Sequence, residues 1–458
     1  MQQVQQWLAD RHRSIVAELL EFIAIPSIST DPAHAPDVAR AADFVAGKLR
    51  AAGLADARVR PTAGHPVVTA AWRGAPGKPT VLVYGHFDVQ PPDPLEAWAS
   101  PPFQPQIRDK CIYGRGASDD KGPMLIPIKV AEAFFACERA LPVNLVFLFE
   151  GEEEVSSAHL EDFVAEQRDY LAADFVLSAD GAQWRADLPS VITGNRGICA
   201  LEVTVTGAAK DLHSGRHGGS VANPVQALVR LLAGLHDSSG KVAVAGFYDA
   251  VIELEPEQLR AIAGLPWSEA AYLESIGAPA GAGEAGYTLL QRNWVRPTLE
   301  FNGISGGYAG PGKKTVIPST ASAKITCRLV PNQHPHAIAA EVAAHLRAQA
   351  PAGVTVTVKI ESGGAMPYAV PPDHAGLALA EAVLKDVTGT APIRVRMGAT
   401  IPIGDIFRRV LGIDTIFFSF ATSDEDYHAP NEFFRLASLA TGMEAWAQYL
   451  LILGQSGE

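Results

Sequence analysis

Short apolar runs alternate with longer amphipathic stretches in the first part of the chain, and this alternation constrains the fold more than any other feature. Runs typical of buried strands occupy residues 67–72, 80–84, 144–149 and 175–178. Stretches with apolar residues at helical spacing occupy residues 4–25, 38–52, 124–140 and 160–171. Buried strands separated by helices are typical of a largely parallel sheet covered by helices. The sequence therefore predicts an α/β domain.

The pattern changes near Gly194 and returns after Gly363. Between them the sequence predicts, in order, a strand, a helix, two strands, a helix and a strand, at residues 199–206, 223–236, 298–302, 321–330, 335–349 and 354–360. This βαββαβ order is that of a ferredoxin-like domain, here interrupted by a largely helical insertion at residues 237–297. We therefore expect residues 1–193 and 364–458 to form one domain, around an inserted α+β domain at residues 194–363.

The last part of the chain resumes the alternation of helices and strands. Helices are predicted at residues 373–386, 402–411 and 432–453, and strands at residues 393–395 and 415–420. The α/β domain is thus expected to be discontinuous.

Charge and cysteine content exclude several classes of protein. Fifty acidic residues against 37 basic ones give a formal net charge of -13, which disfavours a surface for nucleic acid. The four cysteines lie far apart, without a Cys-x-x-Cys pair, so neither a disulfide framework nor a thiolate metal site is indicated. The first residues lack the apolar core of a secretory signal, and no apolar run reaches membrane-spanning length. We expect a cytoplasmic protein with neither nucleic acid nor a membrane as partner.

A histidine and an aspartate stand two residues apart where the predicted strand 80–84 ends. Residues two apart on extended backbone face the same way, so Asp88 could orient the ring of His86 while that ring binds a metal. Ligands of open α/β sheets gather beyond the carboxyl ends of the strands. Taken alone, the pair is also typical of a histidine at a strand end followed by an aspartate in a turn.

Carboxylates and a second histidine occupy comparable positions elsewhere. Asp119 and Asp120 precede a predicted helix, residues 152–154 are all glutamate after strand 144–149, Asp180 follows strand 175–178, and His428 follows strand 415–420. Taken alone, the aspartate pair is typical of a helix cap, the glutamate run of a solvated face, and a single aspartate or histidine of a structural role. Together they supply histidines and carboxylates without cysteine, the ligand set of divalent metals such as zinc or manganese.

Several motifs in one order resemble a known family. They are GHFDVQ from Gly85, GRGASDDKGP from Gly114, EGEEEVSS from Glu150, DLHSG from Asp211, GKKTVIP from Gly312 and RLVPNQ from Arg328. The chain resembles the dinuclear zinc peptidases that include carnosine dipeptidases, carboxypeptidase G, aminoacylase and succinyl-diaminopimelate desuccinylase. It is most similar to the dipeptidase branch, in which GHFDVQPP, DDKGP, TVIP and RLVPN occur together.

This resemblance implies a metal centre and its fold. His86 and Asp180 would bind one divalent metal ion, Glu154 and His428 a second, and Asp119 would bridge them; zinc is the expected metal and manganese the alternative. Asp88 would orient His86, and Glu153 would be the general base. The resemblance also implies a catalytic domain with the phosphorylase/hydrolase-like fold of zinc aminopeptidases.

The inserted domain would be a lid that also forms a homodimer. By resemblance, His213 would act in the active site of the partner subunit, and Arg328 would bind a substrate carboxylate. Thr400 lies in a loop that resembles a substrate-carboxylate loop. A planar guanidinium binds a carboxylate through two hydrogen bonds, which indicates a short substrate with a free C-terminus.

The function expected from these features is metal-dependent hydrolysis of dipeptides or very short peptides. A hydroxide bridging the metals would attack the peptide bond, with a glutamate as general base. An N-acyl amino acid deacylase is the alternative, and a binding protein without metal is disfavoured by the complete ligand set. The preferred side chains and the physiological metal stay open.

Overall fold

The computed structural model describes residues 1–455, which form two compact units. The first unit contains residues 1–193, residues 370–395 and the residues from 403 onward. The second unit contains residues 194–369 and 396–402. In the described part of the chain, no helix combines the length and the apolar character that crossing a membrane requires.

Groups of helices and groups of strands follow one another up to residue 195. The helices are α1 (Gln2–Ile23), α2 (Ala35–Ala51), α3 (Gly122–Glu138), α4 (Leu160–Glu166) and α5 (Arg168–Leu171). The strands are β1 (Arg58–Arg60), β2 (Val67–Trp72), β3 (Thr80–His86), β4 (Gln106–Arg108), β5 (Cys111–Tyr113), β6 (Asn144–Glu150), β7 (Phe175–Ser178) and β8 (Ser190–Asn195). Short helical turns lie at Pro32–His34, Leu95–Ala97, Ala117–Lys121 and Glu153–Val155.

The remaining elements follow in two groups. Up to residue 369 they are β9 (Gly197–Thr206), β10 (Leu212–His213), α6 (Ser214–His217), α7 (Pro224–Ala233), α8 (Pro256–Ala263), α9 (Glu269–Ser275), α10 (Leu289–Val295), β11 (Thr298–Gly306), β12 (Val316–Ile317), β13 (Thr320–Leu329), α11 (Pro335–Ala348), β14 (Thr355–Ile360) and β15 (Tyr368–Ala369). Beyond it they are α12 (Ala375–Thr388), β16 (Ile393–Met397), α13 (Ile403–Leu411), β17 (Thr415–Phe417), β18 (Phe433–Arg435) and α14 (Leu436–Gln455).

The main sheet of the first unit runs in the order β1-β2-β6-β3-β7-β17-β8. Its central strands β6, β3, β7 and β17 are parallel, whereas β2 and β8 run antiparallel to them. The register pairs His86 with Glu150 and Tyr84 with Ser178, so the carboxyl ends of the parallel strands meet at one edge. Strand β6 is buried along its whole length. Strands of parallel sheets are covered by helices on both faces, which explains why β6 is almost entirely apolar. The predicted α/β domain with a mainly parallel sheet is confirmed.

The second unit contains an antiparallel sheet in the order β11-β13-β9-β14. With α7 and α11, these strands follow one another along the chain as βαββαβ, the ferredoxin-like arrangement that the sequence predicts. Burial alternates along β9 because one face packs against apolar residues of the two helices, such as Leu228 and Val342. Helices α8, α9 and α10 fall inside the predicted insertion.

Several local predictions are wrong. The helix expected from Glu432 begins at Leu436, because Phe433–Arg435 forms β18 and pairs with β5. The strand expected at residues 415–420 ends at Phe417. The helix expected at residues 160–171 is divided at Gln167. The pairing partner of β18 lies more than three hundred residues earlier, and helical periodicity carries no information about it.

Candidate metal centre

Each candidate ligand of the metal centre lies at the end of a parallel strand, in a segment that follows such a strand, or in the turn before a helix. His86 is the last residue of β3, and Asp180 lies two residues after β7. Glu154 is in the turn that follows β6, and His428 is in the loop after β17. Asp119 is in the helical turn that precedes α3. The parallel sheet therefore brings residues from distant parts of the sequence to one edge.

Two groups of possible ligands share one carboxylate. Atoms of His86, Asp119 and Asp180 lie within 4.8 Å of one another, and so do atoms of Asp119, Glu154 and His428. Asp119 Oδ1 lies 3.0 Å from His86 Nε2, and Asp119 Oδ2 lies 3.0 Å from His428 Nε2. Because the two oxygens of one carboxylate face different histidines, Asp119 has the position of a bridging ligand.

The ring of His86 is held so that one nitrogen faces the carboxylates. Its Nδ1 lies 3.1 Å from the backbone oxygen of Asp88 and 3.4 Å from Asp88 Oδ1. A carbonyl oxygen can only accept, so Nδ1 carries a proton and Nε2 faces Asp119. This is the usual arrangement of a metal-binding histidine.

The carboxylate of Asp88 also holds the acidic turn after β6. It accepts hydrogen bonds from the backbone N–H of Glu153 at 3.2 Å and of Glu154 at 3.1 Å. Asp88 is fully buried, so these contacts are shielded from water. One side chain thus connects the positions of His86, Glu153 and Glu154.

Electrostatic interactions favour the charged forms of Asp119 and of both histidines. Burial opposes ionisation of Asp119, but hydrogen bonds from His428 and His86 outweigh it and hold its pKa well below the usual range. Burial likewise disfavours the charged form of His86, yet contacts with Asp119 and Asp88 raise its pKa well above 6.5. For His428, hydrogen bonds to Asp119 and Glu154 outweigh desolvation and raise the pKa to about 10.

The other three carboxyl groups show the opposite shift. Burial, together with the charge of Asp119, raises the pKa of Glu154 to about 7 and that of Asp180 to about 6. Burial, together with the charges of Asp180 and Glu154, also raises the pKa of Glu153 well above 4.5. Such crowding of carboxylates is costly unless cations lie between them. Two imidazoles and three carboxylates fit two divalent cations with nitrogen and oxygen preference.

The residues predicted to bind substrate lie in the second unit. Arg328 Nη1 donates to Thr400 Oγ1 at 2.8 Å, so the structure brings these two together. His213 is the last residue of β10, where its Nε2 lies 3.5 Å from Thr315 Oγ1. The ring of His213 is exposed, and its Nδ1 accepts from the backbone N–H of Gly215 at 3.1 Å. The substrate roles of His213, Arg328 and Thr400 stay predictions.

Sequence reasoning missed residues that contact the candidate ligands. Gln90 Nε2 donates to Glu154 Oε2 at 2.8 Å. Gln90 is the last residue of the GHFDVQ motif and lies two residues after Asp88, so its sequence position could have indicated a place near the metal ligands. Glu432 accepts from the backbone N–H of Asp119 at 3.0 Å. It lies at the start of the helix predicted at residues 432–453, and helical periodicity carries no information about a contact with a loop far away in the sequence.

Comparison with known proteins gives one family over most of the chain. Residues 82–452 match the model of peptidase family M20/M25/M40. The Cys-Gly metallodipeptidase of Schizosaccharomyces pombe is 32% identical over 95% of this chain and 94% of its own length. The human Beta-Ala-His dipeptidase is 30% identical over 99% of this chain and 93% of its own length.

Solved structures show the same similarity. An M20 family metallo-carboxypeptidase from Sulfolobus solfataricus superposes with a TM-score of 0.85 at 29% identity. The superposition covers 96% of this chain and 99% of the other. The resemblance found in the sequence motifs, including its dipeptidase branch, is confirmed.

Proposed function

The chain belongs to peptidase family M20/M25/M40, and from this membership we propose that it is a metal-dependent dipeptidase. The observation that carries the proposal is the carboxylate of Asp119, whose two oxygens lie 3.0 Å from His86 and 3.0 Å from His428. That arrangement suits a pair of divalent cations, and peptide hydrolysis is chemistry that such a pair supports.

The ligands of the two cations would be the two groups that share Asp119. His86 and Asp180 would hold one ion, and Glu154 and His428 the other. When bound, two zinc or manganese ions would act as Lewis acids and lower the pKa of water. Asp119, Glu154 and Asp180 contribute three negative charges, which balance most of the charge of two divalent cations.

Glu153 would move the proton. Its backbone N–H is fixed by Asp88, and its carboxyl group has a pKa raised by burial and by neighbouring carboxylates. A carboxyl group with a raised pKa is a better proton acceptor than an ordinary one near neutral pH. Glu153 would take a proton from water and deliver it to the amine that leaves.

Arg328 would bind the C-terminal carboxylate of the substrate. Its hydrogen bond to the Thr400 hydroxyl fixes one nitrogen of the guanidinium and leaves further donors for a carboxylate. His213, held by Gly215, would stabilise the negative oxygen that forms on the peptide carbonyl. The relative from Sulfolobus solfataricus is named a metallo-carboxypeptidase, which accords with recognition of a carboxylate.

The second unit would serve as lid and as the surface of a homodimer, with His213 acting in the partner's active site. Strand β11 is an edge of its sheet, pairing with β13 alone among the described strands. From Glu300 onward its residues are exposed, including Phe301 and Ile304, of which the latter is 60% exposed. An exposed apolar edge strand is a ready site for pairing with a second copy.

The chain would work in the cytoplasm, a location that its unpaired cysteines support, since reducing compartments keep thiols free. The substrate would be a dipeptide or a very short peptide with a free C-terminus.

A substrate panel tests the activity. Metal-free protein would be reloaded with zinc or with manganese and given dipeptides with free amino termini, N-acetyl amino acids and N-succinyl amino acids. We expect turnover of the dipeptides, abolished by chelator and restored by metal. Preferred turnover of the acyl amino acids would instead establish the deacylase alternative, and metal-independent turnover would contradict the proposal.

A further inference from the structure

Glu432 is a fully buried carboxylate that lies four residues after His428 in the same loop. We infer that it is a positioning residue, which fixes Asp119 between His86 and His428 and so determines whether two cations can share one carboxylate. The inference rests on the proposed function, because it assumes the dinuclear centre described above.

Each oxygen of Glu432 accepts two hydrogen bonds from the loop that carries Asp119. Oε1 accepts from the backbone N–H groups of Ser118 at 2.9 Å and of Asp119 at 3.0 Å. Oε2 accepts from Gly116 N–H at 2.8 Å and from Arg115 Nη1 at 2.8 Å. Arg115 is also buried, so the negative charge is neutralised without water.

The loop conformation requires this support. Gly116 has a φ of 82°, and a Cβ added there would lie 2.5 Å from Val89 Cγ1, so glycine is needed for the backbone to approach the carboxylate. Asp119 has φ -122° and ψ 96°, outside the helical region, although it lies within a helical turn. With its backbone N–H bound by Glu432, Asp119 can direct its two oxygens at different histidines.

A second carboxylate, Glu425, ties together the same two loops. Its Oε2 accepts from Ser118 Oγ at 2.6 Å and from Thr422 N–H at 3.0 Å. The backbone oxygen of Glu432 accepts from Gly114 N–H at 3.0 Å. The loop that supplies His428 is therefore held against the loop that supplies Asp119, and Glu432 is the contact that reaches Asp119 itself.

Glutamine at position 432 would break this arrangement with little change of shape. The amide group can accept hydrogen bonds only at its oxygen, and its NH₂ group would face two N–H donors. Two buried donors would lose their acceptor, and the loop would shift to satisfy them. Substitutions of groups that orient metal ligands typically weaken metal binding by roughly 10 to 100-fold.

Manganese is the probe for the experiment, since two Mn²⁺ ions that share a carboxylate give an exchange-coupled electron paramagnetic resonance spectrum. Metal-free wild-type, Glu432→Gln and Glu432→Asp proteins would be titrated with Mn²⁺. We expect a coupled pair in the wild type. In Glu432→Gln we expect the signal of isolated Mn²⁺ and at least roughly tenfold weaker binding of one ion. Glu432→Asp keeps the charge and should recover part of the coupled signal.

Glu18→Gln is the matched control. Glu18 forms ion pairs with the buried Lys129 at 2.5 Å and with Lys48 at 2.9 Å, so its loss removes ion pairs between helices rather than a contact between the two loops. This control should retain the coupled spectrum.

Four results would count against these ideas. A coupled spectrum of native affinity in Glu432→Gln would overturn the inference alone. The same loss in Glu18→Gln would overturn it too, since the effect would then be general. So would failure of both Glu432 variants to fold while Glu18→Gln folds, because the residue would then serve folding. A wild type without a coupled pair would overturn the dinuclear centre of the proposed function.

Discussion

Replacing Glu150 with glutamine should stabilise the metal-free protein, and the gain should grow with pH. Glu150 ends β6 and is 1% exposed. Its Oε1 accepts hydrogen bonds from the Tyr84 hydroxyl at 2.5 Å and from Ser157 Oγ at 2.9 Å. Burial outweighs these contacts and raises its pKa to about 8.

The sign and size of the effect follow from that pKa. Between the unfolded value of 4.5 and the folded value of about 8, the folded protein binds a proton that the unfolded chain has released. The free energy of unfolding therefore falls as pH rises through this range, by about 3 kcal/mol at pH 7 and about 5 kcal/mol well above pH 8. Glutamine carries no charge and offers the same carbonyl oxygen to both hydroxyl groups, so the variant should not lose this stability.

Urea unfolding of chelator-treated protein, followed by circular dichroism, would measure the effect. The difference in unfolding free energy between Glu150→Gln and the wild type should grow by about 3 kcal/mol from about pH 5 to about pH 8. Glu161→Gln is the control, because Arg409 lowers the pKa of Glu161 and its loss should give no such gain. An equal difference at both pH values would refute the argument that burial raises the pKa of Glu150.

Three further changes test other parts of the reasoning. Glu153→Gln should bind metal normally but lose roughly 10² to 10⁴-fold in kcat; normal turnover with bound metal would exclude it as the base. Arg328→Ala should lower kcat/KM for dipeptides by roughly 10 to 100-fold and spare their C-terminal amides, and equal losses would contradict carboxylate binding. Gly116→Ala should reduce stability by about 1 to 3 kcal/mol in thermal melts. Gly47→Ala, with nothing within 4 Å of its added Cβ, should not.

The order of elements could be predicted because apolar periodicity is a local property. Strands 67–72 and 175–178 have the predicted limits, since both are short, mostly buried apolar runs. Strand β18 could not be predicted, because its existence depends on pairing with β5. Periodicity likewise could not show that the helix predicted at residues 160–171 divides at Gln167.

The positions of the candidate ligands at strand ends indicate a metal site from the sequence alone. The family motifs then indicate which metal each residue would bind. The sequence could name Asp119 as a bridging ligand only through resemblance. Only the folded chain places its two oxygens 3.0 Å from His86 and 3.0 Å from His428.

The sequence by itself determined the fold class, the family and the residue types at the site. This is because motifs and apolar periodicity depend only on residues that are close together in the sequence. The tertiary structure alone decided which carboxylates hold others in place. Asp88 binds the turn of Glu153 and Glu154, and Glu432 binds the loop of Asp119. These contacts join segments that are tens to hundreds of residues apart. The contacts of Asp88 exist because a parallel sheet collects the ends of its strands at one edge. The contact of Glu432 exists because β18 pairs with β5, which brings Glu432 beside the loop that follows β5.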